Sequence, residues 1–287
     1  MAAAVAASEA GVKDILLLER DQYLGGILNQ CIHTGFGLHY YKEDLTGPEY
    51  AGRDIKKIKG IEVSLKSMVV KLTRDKILTY FKPGHLEEVQ AKALIMATGC
   101  RERTREMIHI PGTRPSGIYP AGLAQKMINI EGLLPGKEVV IIGSGDIGLI
   151  MARRFTLEGA KVKAVIEIQK ESRGLIRNVV QCLEDFEIPL YFEHRIKMIH
   201  GRDRVEKVEV EDINTKRTFE LTCDTVLISV GLIPENELVE MTGDYSSIPG
   251  LFMCGNCLKV YDLVDWVTRD SIKAGKQAAE YLRSLKC

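Results

Sequence analysis

The sequence carries no surplus of charge of either sign, with 39 Lys and Arg against 39 Asp and Glu over 287 residues. That balance excludes a basic nucleic-acid footprint, a polybasic membrane patch and long-range steering of charged partners, so any ligand must be recognised by local chemistry. No apolar run approaches the length of a membrane span. Ala2 to Ala7 is apolar but lacks a basic n-region and a Leu-rich h-region, and it runs straight into SEAGVKD. A secretory signal is therefore not expected, and a cytoplasmic protein is. There is no disulfide framework either, because seven cysteines, an odd number, are scattered from Cys31 to Cys287. Reduced thiols fit that pattern. What remains is an ordinary globular composition, 45% hydrophobic and 27% charged, long enough for two domains.

The most informative stretch present is KEVVIIGSGDIGLIMARRFTLEGAKVKAVIE, from Lys137 to Glu167. Val139 to Ile142 is a β-branched strand, Gly143, Gly145 and Gly148 form GxGxxG, and Ile150 to Leu157 continues with helical spacing until Gly159. A second strand, Val162 to Ile166, ends on an acid. This order suits a dinucleotide. Gly143 makes the tight turn, Gly145 admits a pyrophosphate to the backbone, and Gly148 lets helix pack on strand. Ser144, Asp146 and Ile147 complete the turn, whose helix amides would face the phosphates. Glu167 would accept from a ribose 2′-hydroxyl and repel a 2′-phosphate, favouring NAD over NADP, although Arg173 nearby blurs that preference.

An incomplete copy of this pattern opens the chain. Ala2 to Ala10 reads as a helix stopped by Gly11, and Asp14 to Glu19 as a buried strand ending in an acid. No strand and no GxGxxG precede that helix. A Gly-, His- and Tyr-rich segment follows, read either as ligand-facing or as a plain surface loop, and then a helix from about Pro48 to Ile58. Short alternating strands run from Ile61 to Leu94, with turns at Thr73 to Lys76 and Pro83 to Gly84. Further on we expect helices at Ala121 to Ile130, Leu175 to Phe186 and about Leu263 to Leu285. A β-meander over Ile196 to Leu221 and strands at Thr225 to Val230 and Ile248 to Met253 complete the reading.

With GxGxxG and Glu167, LLLER ending at Arg20, MATG ending at Gly99, LISVG ending at Gly231 and SIPGLFMCGN ending at Asn256, the chain resembles the pyridine nucleotide-disulphide oxidoreductases over nearly its whole length. LGGILNQCIHTGFG and GCRERTR are most similar to a branch related to the large subunits of hydrogen cyanide synthase and of amine or opine dehydrogenases. The resemblance implies an α/β protein of two Rossmann-like dinucleotide-binding domains. An FAD-type domain would be built from residues 1–112 and 246–287, with an NAD-type domain, 113–245, inserted. It further implies Glu19 and Arg20 at the FAD adenosine, Gly25 and Gly26 near the pyrophosphate or flavin, and Val69 or Val70 by the adenine. Thr98 and Gly99 would close over FAD, and Gly231 would end the NAD domain against its cofactor. Gly255 and Asn256 stand where the family has a Gly-Asp pair for ribityl and phosphate oxygens. Asp262 would cap a last helix whose amides face the flavin N1 and O2 region.

Three departures accompany the resemblance. The absent first GxGxxG removes the usual FAD pyrophosphate cradle together with a strand central to its sheet. The segment from Leu238 to Ile248 is shorter than usual. Cys31 lacks a partner four or five residues away, so disulfide reduction is not expected. Cys31 and His33 remain candidates for a thiolate or acid-base group at the flavin, against a reading as loop packing. Cys254 and Cys257 form CGNC, which could be redox-active or half a metal site, but no second CxxC or HxxxH exists to complete one, so no metal is expected. His109, His194 and His200 read as structural or exposed. The function these features suggest is an FAD-dependent oxidoreductase moving hydride between NAD(H) and flavin. Its partner would be a small-molecule substrate or a redox subunit, in a homo- or hetero-oligomer. The alternatives are a truncated NAD-binding or assembly subunit without flavin, and a flavin-free dehydrogenase, which no acid-base pair beside the nicotinamide motif supports.

Overall fold

The computed structural model describes residues 1–285; Cys287, counted among the reduced thiols, lies outside them. The chain enters through α1 (Ala2–Glu9), β1 (Leu16–Leu18), α2 (Gly47–Ile55) and β2 (Glu62–Ser64). It then forms an antiparallel sheet of β3 (Met68–Leu72), β4 (Ile77–Lys82) and β5 (His85–Gln90), and β6 (Leu94–Met96) follows. Next come β7 (Ile118–Pro120), α3 (Ala121–Asn129), β8 (Glu138–Ile142), α4 (Asp146–Leu157), β9 (Lys161–Ile166), α5 (Ile176–Cys182) and β10 (Leu190–Tyr191). A meander of β11 (His194–Gly201), β12 (Val205–Asp212) and β13 (Thr218–Thr222) leads to β14 (Thr225–Ile228). The last elements are β15 (Leu251–Met253) and α6 (Val264–Ser284).

Two compact units result, residues 1–101 with 233–287, and residues 102–232. These units divide at other residues than the domains expected from the resemblance, 1–112 with 246–287 and 113–245. The stretch from Glu102 to Gly112 belongs with the second unit because Glu102 binds the start of α3 and Ile110 joins the core beneath the meander. The stretch after Ile233 belongs with the first, where Val239 is fully buried against Leu72 and Leu78.

The second unit is a parallel five-stranded sheet in the order β7-β14-β8-β9-β10. Its strands read as continuous apolar runs because both faces are covered. Leu149, Met151, Ala152 and Phe155 of α4 bury completely on one face, and Ile196, Ile199, Val208 and Val210 of the meander cover the other. The helix expected from Leu175 to Phe186 is broken. α5 stops at Cys182, and Glu184–Phe186 forms a 3₁₀ turn ended by Glu187 in the left-handed region at φ 53.

In the first unit, the small side chains of α1 let it lie close on α6, where a Cβ on Gly275 would come within 2.3 Å of the Ala3 carbonyl. A capping box of Thr46 and Glu49 starts α2. Two parallel pairs make up the rest of this layer, β1 with β2 and β6 with β15, and among the described residues no strand joins them. That division explains why the expected strands at Asp14–Glu19 and Ile248–Met253 shrink to three residues each. Each has a ladder on one side only, and ladder hydrogen bonds are what extend a strand.

Candidate functional site

At the carboxyl end of β8 the chain turns through Gly143 at φ 96. A Cβ there would lie 2.1 Å from the Ser229 carbonyl, and one on Gly148 would lie 2.4 Å from the Gly143 carbonyl. Side chains at these two positions would push apart strand, turn and helix. Around Gly145 the space is open, with nothing within 4 Å of a Cβ. Gly145 also forms the N-cap of α4, without a side-chain cap, so the first-turn amides are free to meet an anion. Asp146 turns its carboxylate away, accepting from the Leu175 amide at 2.8 Å and the Asn178 side chain at 2.7 Å. Ile147 packs into the helix-side core.

Glu167 stands one strand away, at the end of β9, and is 7% exposed. Its Oε2 accepts from the Ser144 amide at 2.9 Å and the Ser144 hydroxyl at 2.7 Å, and its Oε1 from the Gln169 amide at 2.9 Å. The acid and the glycine turn are thus held as one piece. Oε2 thereby uses both of its lone pairs, while Oε1 retains one for a further donor, and the charge disfavours a second anion beside it. This cradle has room and donors for the pyrophosphate, and an acceptor for the ribose, of a dinucleotide. Arg173 is exposed in the loop that follows.

Glu19 in the first unit repeats this arrangement closely. Its amide donates to the Ser64 carbonyl and its carbonyl accepts from Ser67, as Glu167 donates to Tyr191 and accepts from His194. The Glu19 Oε1 accepts from the Asp21 amide at 3.0 Å, two residues on, like the bond from Gln169 to Glu167. The difference is the other oxygen. Among the described residues nothing in the first unit takes the part of Ser144, and the N-cap of α1, Met1, has no side-chain bond. The first unit therefore offers an acid for an adenosine ribose without a cradle for the pyrophosphate. Its described residues do not fit a complete FAD site.

The remaining candidates separate. Arg20 is exposed. Gly25, at φ 116, and Gly26, at φ 54, start a 3₁₀ turn that Asn29 ties back to the Leu24 carbonyl at 2.9 Å. Cys31 is buried, and burial pushes its thiol up to about 12, which disfavours a thiolate there. His33 keeps its Nδ1 2.9 Å from the Thr34 carbonyl, and its Nε2 is buried without a partner among the described residues. Val69 packs into the small core under β3, but Val70 is 46% exposed. Thr98 donates to the Glu235 carbonyl, and Gly99 accepts from the Glu235 amide at 2.9 Å. Gly231 is exposed at φ 103. Asn256 uses its carbonyl on the Tyr261 amide at 3.0 Å and its amide on the Cys100 sulfur at 3.5 Å, and Gly255 donates to Asp270 at 2.7 Å. Both residues of the Gly-Asn pair thus make bonds within the chain, and the Asn256 side chain keeps one lone pair and one N–H beyond them. Cys254 and Cys257 both direct their thiols at the Met96 carbonyl, and burial pushes the Cys254 thiol up to about 11. Among the described residues no group of three or more His, Cys, Asp or Glu could hold a metal ion.

Two residues went unread in the sequence. Asp262 does not cap the last helix. The N-cap is Leu263, and the acid in the first turn is Asp265, 1% exposed, with one oxygen accepting from the His39 amide at 3.3 Å and the other unpartnered among the described residues. Glu102 places its carboxylate on the Gly122 amide at 2.7 Å and the Leu123 amide at 3.3 Å, at the start of α3. Burial raises its pKa, against those two bonds. The contact that matters at Glu102 spans twenty residues, and no local motif announces it.

Comparison with known proteins agrees with this architecture. The NAD(P)H sulfur oxidoreductase (CoA-dependent) of Pyrococcus abyssi is 26% identical over 222 residues, covering 74% of this chain and 48% of that protein. The hydrogen cyanide synthase subunit HcnB of Pseudomonas protegens is 24% identical over 273 residues, covering 85% of this chain and 56% of the subunit. The chain thus spans about half the length of these relatives. Thioredoxin reductase of Lactococcus lactis superposes with a TM-score of 0.77 at 20% identity, covering 99% of this chain and 95% of that one, a likeness of fold. The model of the pyridine nucleotide-disulphide oxidoreductases matches residues 1–278, and the chain belongs to that family.

Proposed function

We propose that this chain is the nicotinamide-binding part of an FAD-dependent oxidoreductase that exchanges a hydride between NAD(H) and a flavin. The observation that carries this reading is the single hydrogen-bonded unit of the Gly143–Gly148 turn and Glu167, bound through Ser144. The chain's own residues hold and orient. Open α4 amides meet the pyrophosphate, Gly145 lets it approach, and Glu167 accepts from the adenosine ribose and disfavours the extra phosphate of NADP. A flavin, where bound, supplies the two-electron chemistry. The names of the relatives, a sulfur oxidoreductase and a cyanide synthase subunit, support a redox role and a partner subunit, with the substrate class open.

A second reading, a nucleotide-binding subunit without flavin of its own, is favoured by the break between the β1–β2 and β6–β15 pairs. The visible spectrum of the purified protein after incubation with FAD, and again after NADH is added without oxygen, separates the two. Retained flavin absorbance that bleaches with NADH supports the oxidoreductase. A colourless protein that still binds NADH supports the second reading and overturns flavin chemistry in this chain.

A further inference from the structure

Arg105 is 3% exposed, a degree of burial that arginine adopts when it is paired. Its Nε donates to the Ile110 carbonyl at 3.0 Å and its Nη1 to the Thr113 carbonyl, both neutral acceptors of its own loop. Among the described residues its Nη2 has no partner. A buried cation with an idle donor is costly, and such a group calls for a missing ion or water.

Arg105 also lines a cavity of about 260 Å³, shared with Glu106, Arg114, Pro115, Ile118 and Ile228. Arg114 is exposed on the solvent side, and its Nη1 lies 3.4 Å from Glu106 Oε1, a loose pair that leaves its other donors free. Two guanidinium groups against one carboxylate leave the lining with net positive charge. Ile118 and Ile228 give it an apolar floor from β7 and β14. The volume exceeds what a bare phosphate needs and falls just below the range of about 300–1,000 Å³ typical of drug-sized ligands.

We propose that this cavity binds a small oxyanion, a phosphate or carboxylate group, with Arg105 as the buried donor and Arg114 as the outer one. The phosphate could belong to a free metabolite or to the dinucleotide, since Ile228 pairs with Ile142, the residue before Gly143. The inference commits to the free anion, which binds alongside NADH.

The test is isothermal titration calorimetry of the full chain with inorganic phosphate, in chloride-matched buffer, with and without saturating NADH. Saturable binding that persists with NADH and weakens about tenfold in Arg114→Gln, the effect of losing one charge-assisted hydrogen bond, is the expected result. Arg105→Lys, which loses the forked donor geometry, should weaken it further. Because Arg105 also holds its loop, circular dichroism must show that variant folded before its result counts; Arg114, exposed, tests the site without that risk. No phosphate binding by the folded wild type, or equal affinity in Arg114→Gln, overturns the proposal. Loss of binding when NADH is present also overturns it, by returning the phosphate to the dinucleotide site.

Discussion

A Cβ on Gly148 would meet the Gly143 carbonyl at 2.4 Å and the Ser229 side chain at 3.2 Å. Alanine inside a helix normally stabilises through backbone entropy, but here the contact is with backbone that cannot swing away. Gly148→Ala should therefore destabilise the fold by about 1–3 kcal/mol and weaken NADH binding together with it. A lowered Tm and a right-shifted NADH titration would show this, whereas an unchanged Tm would mean that the turn relaxes freely. At Cys31 the prediction follows from burial. With its thiol pushed up to about 12, the reactive thiolate is scarce at neutral pH, so iodoacetamide should leave Cys31 unlabelled in the folded protein at about pH 8 and label it after denaturation. Peptide mass spectrometry reads both states. Rapid labelling of folded protein would restore a thiolate role at this position.

The elements show how far a sequence can be read. The strand–turn–helix–strand from Glu138 to Ile166 was legible because its strands carry the apolar runs Val139–Ile142 and Ala164–Ile166, its glycines are spaced for one turn and its helix buries a single face. The start of α3 was not. Glu102 reaches its amides from a linker twenty residues upstream, and such a contact leaves no periodic trace. Burial raises the folded-state pKa of Glu102 above its ordinary value, so the folded state keeps that proton longer than the unfolded chain does. Stability should then fall as pH rises from the ordinary carboxylate range through the folded pKa. Glu102→Gln lacks this titration, so its Tm should gain on the wild type across that window and hold the gain above it. A difference in Tm independent of pH would remove the titration from the account. The first turn of α6 was misread for a related reason. Asp262 and Asp265 are alike in sequence, and only packing decides that Asp265 faces inward while Asp262 stays exposed.

In the molecule as a whole, one unit holds a continuous five-stranded parallel sheet and the other, among the described residues, two separate parallel pairs. The bonds around Glu19 and Glu167 repeat the same local plan in the two units, yet among the described residues only Glu167 is joined to a glycine turn. The resemblance in the sequence pointed to both acids. The β1–β2 and β6–β15 pairs stay separate among the described residues, whereas the strands around Glu167 form one sheet. Among the described residues no helix is long and apolar enough to cross a membrane. The central claim is that the Gly143–Gly148 turn and Glu167 hold NAD(H), and a fluorescence titration of the full chain with NADH and with NADPH tests it most directly. The account predicts saturable binding with NADH tighter than NADPH, and in Glu167→Ala a loss of NADH affinity of about 10–100-fold, the worth of a charge-assisted hydrogen bond, with much less change for NADPH. Failure of the folded wild type to bind NADH, or an equal loss for both nucleotides in the variant, would contradict it.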